Sequence, residues 1–137
     1  MAVEIRRVEY FYVTVRDELG AAYRVLSALA ERGVEQLAFT AVPSGPSVAQ
    51  LALFPADPPK LAAEARAANL ELDGPHRAFL VRGDDELGAL VDVHERLFKA
   101  GVDVYATSGV TSGRGTFGYV IYVRENTYAA AAAALGV

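Results

Sequence analysis

The chain has 137 residues, 53% of them hydrophobic, with no cysteine and a formal net charge of −4. That length allows one ordinary domain or two small ones sharing a core, and roughly two-thirds of the unfolded surface can be buried without a staple. Disulfides, thiolate metal sites and a cysteine nucleophile are excluded, and the acidic balance works against a polyanionic partner. The opening Met1-Ala2-Val3-Glu4-Ile5-Arg6-Arg7 places charges where a secretory signal needs an apolar run, and no stretch reaches membrane-spanning length. The expectation is a cytoplasmic protein with no membrane contact.

In chain order, residues 8–15 are β-branched and aromatic and predict a strand. Asp17 stands where a helix N-cap is expected, ahead of a helical run from about Gly20 to Arg32. Ala22, Val25, Leu26 and Leu29 form the inner stripe of that helix, and Gly33 follows as its left-handed terminator. Residues 34–42 and 47–54 read as strands joined through Pro43-Ser44-Gly45-Pro46. Asp57-Pro58-Pro59 then opens a helix that runs to about Ala68. The order then recurs as strand 76–82, helix 88–100, strand 102–110, a turn at 112–115, strand 116–124 and a closing alanine-rich helix, 127–135.

The recurrence is literal. Asp17-Glu18-Leu19-Gly20-Ala21 returns as Asp85-Glu86-Leu87-Gly88-Ala89, a spacing of 68 residues. The same spacing pairs Phe11 with Phe79, Val13 with Val81, Val25 with Val93 and Leu29 with Leu97. It also pairs Gly33-Val34 with Gly101-Val102, Val42 with Val110, and Ser44-Gly45 with Ser112-Gly113. One supersecondary unit is therefore used twice. The expected boundaries are 1–69 and 70–137. Leu70-Glu71-Leu72 (residues 70–73 at most) would serve as the last strand of the first unit. Residues 2–7 would complete the sheet of the second and close a pseudo-twofold pair. The predicted class is α+β, with two tandem ferredoxin-like βαββαβ units whose sheets are antiparallel and whose helices lie on one face.

A strand, then Asp-x-x-Gly opening a helix, then Gly-Val ending it before a hairpin, resembles the ACT domain, a regulatory module, and does so twice over nearly the whole chain. The resemblance implies a non-catalytic, amino-acid-binding regulatory protein without metal or cofactor. Small effectors in that family lie at the junction of two units, between one unit's strand–helix loop and the second strand of its partner. Carried over by position, the effector-binding residues are Asp17, Glu18, Leu19, Gly20 and Ala21 with Glu35, Gln36 and Leu37. Their repeats are Asp85, Glu86, Leu87, Gly88 and Ala89 with Asp103, Val104 and Tyr105. The resemblance further implies a homodimer or a regulatory subunit serving a metabolic enzyme. Residue chemistry points to the same loops. Helix N-terminal amides attract a carboxylate, glycine lets a ligand approach, and the acidic side chains offer acceptors to an ammonium group.

Two departures matter. Leu19 and Leu87 stand where the family often has proline, and Glu35 and Asp103 stand where it often has asparagine, which favours a cationic ligand over an acidic one. An interaction module without ligand remains an alternative. A third reading comes from Phe117-Gly118-Tyr119-Val120-Ile121-Tyr122, which matches the last six places of the RNP octamer of RRM proteins. Strand parity turns Phe117 and Tyr119 toward the core, however, and the acidic charge opposes phosphate binding, so no nucleic-acid partner is expected. Gly113-x-Gly115-x-x-Gly118 spells a dinucleotide fingerprint but precedes a strand rather than a helix, and reads as a turn. His94 falls on the inner stripe of its helix, with a partly buried, hydrogen-bonded ring expected. Tyr10 and Tyr12 would share the sheet face away from the helices, as a dimer surface or under a neighbouring loop.

Overall fold

The computed structural model describes residues 3–137. Its elements are β1 (Val3–Arg16), α1 (Ala21–Glu31), β2 (Gln36–Pro43), β3 (Val48–Pro55), α2 (Pro58–Ala67), β4 (Asp73–Asp84), α3 (Val91–Lys99), β5 (Val104–Thr111), β6 (Thr116–Val123) and α4 (Tyr128–Leu135). A short 3-10 turn, Glu125–Thr127, precedes α4. The chain divides into two units by contact: Glu9–His76, called here the first, and Arg77–Val137 together with residues 3–8, called the second.

In the first unit β3 lies between β2 and β1 and runs antiparallel to both. Phe11 faces Leu53 and Val13 faces Leu51, and all four side chains enter a core with Val25 and Leu29 of α1 and Leu61 and Ala65 of α2. In the second unit β6 lies between β4 and β5, again antiparallel, with Phe79 opposite Ile121 and Val81 opposite Tyr119. Val93 and Leu97 of α3 and Ala131, Ala132 and Leu135 of α4 close that core. Of the inner stripe expected for α1, Val25 and Leu29 enter the core and Ala22 packs against it, while Leu26 is only half-buried.

β1 and β4 are hydrogen-bonded neighbours in the strand order, and each is longer than the periodicity predicts. Residues 3–8 of β1 therefore supply the last strand of the second unit, where Val3 and Ile5 pack on its core. Met1 and Ala2, part of the stretch expected to complete that sheet, lie outside the described residues. The expected strand at Leu70-Glu71-Leu72 is a loop, and the strand begins at Asp73. The reason is local. Asn69 takes a left-handed backbone and Leu70 N–H donates to Ala65 O at 2.8 Å, so this segment is still closing α2. Leu70 and Leu72 pack against the first core from that loop.

The other face of the first unit's sheet is also covered. Tyr10 is 8% exposed, stacks on Phe54 at 5.0 Å and lies 5.2 Å from the ring of His76. Tyr12 meets Tyr10 edge-on at 5.3 Å. Of the two alternatives for these tyrosines, a screened face fits Tyr10, which an aromatic cluster buries as β3 brings Phe54 alongside, while Tyr12 is half-buried.

Helix α2 starts as the sequence requires, with Pro at its first positions and Asp57 Oδ1 accepting from Lys60 N–H at 3.2 Å. Replacing Asp57 with alanine is expected to cost about 1 kcal/mol of unfolding free energy, read as a shift in urea midpoint at constant slope.

Candidate ligand-binding corners

Both Asp-Glu-Leu-Gly-Ala corners are built by one set of backbone hydrogen bonds. In the first unit Asp17 N–H donates to Ser47 O at 2.9 Å, Glu18 N–H to Arg16 O at 2.9 Å and Ala21 N–H to Glu18 O at 3.2 Å. In the second, Asp85 N–H donates to Gly115 O at 2.8 Å, Glu86 N–H to Asp84 O at 3.0 Å and Ala89 N–H to Glu86 O at 3.0 Å. Gly20 (φ 84°) and Gly88 (φ 78°) take the left-handed backbone that this turn needs. Asp17 is therefore not the helix cap. Gly20 holds that position for α1, Leu90 holds it for α3, and neither helix start has a side-chain cap. Leu19 and Leu87, 98% and 107% exposed, stand out from the tips, while Ala21 and Ala89 are buried.

What differs is the side chain that follows. In the first corner Arg24 folds back, Nη2 donating to Glu18 Oε1 at 2.9 Å and Nη1 reaching Leu19 O at 3.4 Å. It lies so close over Gly20 that a Cβ there would meet Nη1 at 3.1 Å. Beside Arg24 lies a hollow of about 320 Å³, bordered by Val15, Glu18, Ala21 and Leu70, whose counterpart in the second unit is a hollow of about 420 Å³ beside Ala89, Asp92 and Val137. In the second corner the equivalent residue is Asp92, which turns away to Arg96 at 2.9 Å. A pocket of about 450 Å³ opens there, between Asp85, Glu86 and Gly88 on one side and Gly109, Val110 and Tyr119 on the other. Tyr119 is held by its hydroxyl, 2.8 Å from His94 Nε2, with the two rings edge to face. Two exposed carboxylates over a largely apolar hollow suit an ammonium group with an apolar body.

The strand residues inferred by position lie elsewhere within their units. Glu35 precedes β2, and Gln36 and Leu37 sit at its first turn of pairing, where the register slips between Gln36 and Ala38. Asp103, Val104 and Tyr105 occupy the same place in the second unit, with a slip between Val104 and Ala106. Tyr105 is exposed, with Arg124 over its ring at 5.0 Å. Within its own unit the second corner meets the far end of β5, Gly109–Thr111; the expected partner strand was that of the other unit. Gln36 carries buried amide nitrogen and oxygen atoms that have no hydrogen-bond partner among the described residues.

Sequence reasoning did not find Gly109, Val110 or Arg24. The first two were within reach: an antiparallel hairpin after the helix returns its tip to the corner. Arg24 carried no signal, because only a folded corner shows where its guanidinium ends. Phe117 is in the core and Tyr119 packs against it on the helix side, so neither is presented as a base-stacking platform. Gly113 and Gly115 form the turn before β6, both at positive φ. Among the described residues no group of three or more His, Asp or Glu side chains is placed to hold a metal ion, and no helix is long and apolar enough to cross a membrane.

Taken together these features define an α+β fold of antiparallel strands and helices in an ACT-like βαββαβ arrangement. No protein-family model and no curated protein matches the chain. Solved structures share its fold. Protein BT0572 from Bacteroides thetaiotaomicron is similar at a TM-score of 0.80 and 14% identity, over 96% of this chain and 88% of that one. The ligand-free regulatory subunit of aspartate kinase from Thermus thermophilus is similar at 0.63 and 18% identity, over 99% and 96%. A putative C-terminal regulatory domain of aspartate kinase from Porphyromonas gingivalis W83 is similar at 0.53 and 15%, over 98% and 95%.

Proposed function

We propose that this chain is a non-catalytic regulatory protein whose second corner binds a small amino-acid-like effector through its ammonium group. The observation that carries the reading is the pocket at the second corner, open, acidic-rimmed and about 450 Å³ in volume. In the first corner Arg24 lies over Gly20 and pairs with Glu18. The shared fold with a regulatory subunit of aspartate kinase supports a role beside a metabolic enzyme in the cytoplasm, as a homodimer or as that enzyme's subunit. Asp85 and Glu86 accept from the ammonium, and Val110 and Tyr119 flank the side chain. A ligand of this size is expected to bind between roughly micromolar and millimolar dissociation constants.

Thermal-shift measurement against the free amino acids tests this. A ligand at 100 times its dissociation constant adds about 2.7 kcal/mol, which raises Tm by about 10 °C in a chain of this length. Amino acids with neutral or cationic side chains are expected to shift the melt, and acidic ones to shift it least. Replacing Asp85 and Glu86 together with alanine removes the response. Arg24→Ala leaves stability within about 1 kcal/mol, since its ion pair is exposed, and opens the first corner to ligand. A second reading, a ligand-free interaction module, is favoured by the fully exposed Leu19 and Leu87 and by Phe98, 80% exposed. Absence of any shift would support that reading instead.

A further inference from the structure

Each unit can be laid on the other through its backbone. In the strands the offset is 68 residues, Phe11 opposing Leu53 where Phe79 opposes Ile121. In the closing helices it is 67, Leu70 N–H donating to Ala65 O where Val137 N–H donates to Ala132 O. The groove between the closing helix and the strands beside it then differs in one respect. In the second unit two strand arginines reach across it to the helix side. Arg77 pairs with Glu125 and lays its guanidinium 3.9 Å from the centroid of the Tyr128 ring, and Arg7 donates to Val137 O at 2.8 Å. In the first unit the corresponding partners are Glu9 with Pro58 and Pro75 with Leu70. Neither proline has a polar side chain, so neither strap forms. The first unit's groove stands open, with a volume of about 460 Å³, and every residue that lines it belongs to that unit.

We propose that this groove docks an extended segment of another protein that carries an arginine, an apolar residue and an acidic residue at alternate positions. Glu9 and Arg66 both line the groove, and neither enters an ion pair among the described residues. The second unit fixes their order along it. Arg77, the counterpart of Glu9, reaches the counterpart of Pro58, so Glu9 lies toward the start of α2. Arg66 is in the last turn of that helix, about 12 Å along the axis from Pro58. In an extended chain every second side chain points the same way, and four residues span about 13 Å. Positions i and i+4 therefore meet the two charges, and position i+2 is buried between them on Ala62 and Leu72. The arginine does for Glu9 from outside what Arg77 does inside the second unit, setting a guanidinium against a carboxylate over an apolar bed. The acidic residue accepts from Arg66. The groove shares no residue with the pocket at the second corner and does not rest on the effector reading.

The peptide acetyl-Ser-Arg-Ser-Leu-Ser-Glu-Ser-amide, titrated against the whole chain by calorimetry and followed by the methyl resonances of Ala62 and Val110, tests the assignment. Expected are saturable binding with a dissociation constant of roughly 10–500 micromolar and a shift at Ala62 alone. Serine in place of the peptide's arginine, leucine or glutamate weakens binding by about fivefold each. Against Glu9→Gln the original and arginine-free peptides bind alike, which a merely structural role for Glu9 would not produce. The double variant Glu9→Arg, Pro58→Glu rebuilds the second unit's ion pair across the groove. It keeps the melting temperature and loses peptide binding by about tenfold or more. The Asp85→Ala, Glu86→Ala double variant binds as the original chain does. No saturable binding at millimolar peptide, indifference to its arginine or leucine, or undiminished binding to the rebuilt ion pair would each overturn the proposal. So would arginine amide binding as tightly as the peptide, which makes the groove a small-molecule site. A dimer that the rebuilt ion pair dissolves would make the occupant a second copy, and a shift at Val110 without one at Ala62 would move the peptide to the corner; either overturns it.

Discussion

Replacing Phe79 with alanine is expected to lower the unfolding free energy by about 3–5 kcal/mol, a large share of what a domain of this size possesses. Phe79 is 0% exposed, sits opposite Ile121 in the sheet, and carries the Tyr128 ring on its face. The loss therefore combines burial, the cavity left behind and an aromatic stack worth about 0.5–1.5 kcal/mol on its own. Phe11→Ala is the informative control. Phe11 is 5% exposed and has no stacked ring from α2, so its removal extends a hollow that already exists and costs less. Chemical denaturation of both variants, compared at equal slope, measures the difference. Equal losses would mean that the Phe79–Tyr128 stack adds nothing.

Gly109→Ala is expected to cost about 1–3 kcal/mol and to abolish effector binding at the second corner. A Cβ at Gly109 would stand 2.4 Å from Tyr119 Cδ1 and 3.1 Å from Gly118 O, so the ring must move. Tyr119 cannot move freely, because its hydroxyl is bound to His94. The variant thus pushes a flanking side chain of the pocket while breaking a polar contact behind it. Gly118→Ala provides the comparison, since a Cβ there meets nothing within 4 Å and is expected to be tolerated. Melting curves with and without ligand report both effects. A Gly109→Ala protein that keeps its ligand response would place the effector elsewhere.

The fold was legible because its signals are short-range and doubled. Val25 and Leu29 fall at helical spacing, Val93 and Leu97 repeat them, and all four are in the cores. Asp57-Pro58-Pro59 starts a helix whatever surrounds it. The start of α1 was misread for the opposite reason. Asp17 resembles a cap, but its N–H is committed to Ser47 O, a partner thirty residues on that no local pattern reveals. The strand lengths were hidden similarly, since Arg6-Arg7 and Gly74-Pro75 look like interruptions until a neighbouring strand is beside them. At the candidate site the repeat was misleading in its regularity. Five identical letters mark both corners, yet Arg24 against Asp92 decides which is covered. In the same way, Leu61 against Tyr128 decides which phenylalanine has a ring over it. The duplicated residues specify architecture, and the unduplicated ones carry the differences.

The placement of residues 3–8 sets a limit on how this chain can be divided. A fragment beginning at Leu70 would carry most of the second unit and lack the strand whose Val3 and Ile5 shield its core. Such a piece would be left with an unsealed flank and a vacancy shaped for a peptide with that alternating pattern. Severed halves mixed in solution would therefore reassociate by fragment complementation, and a gene split at the repeat boundary would encode two polypeptides obliged to meet. The order of the halves along the chain is thus less free than their similarity implies.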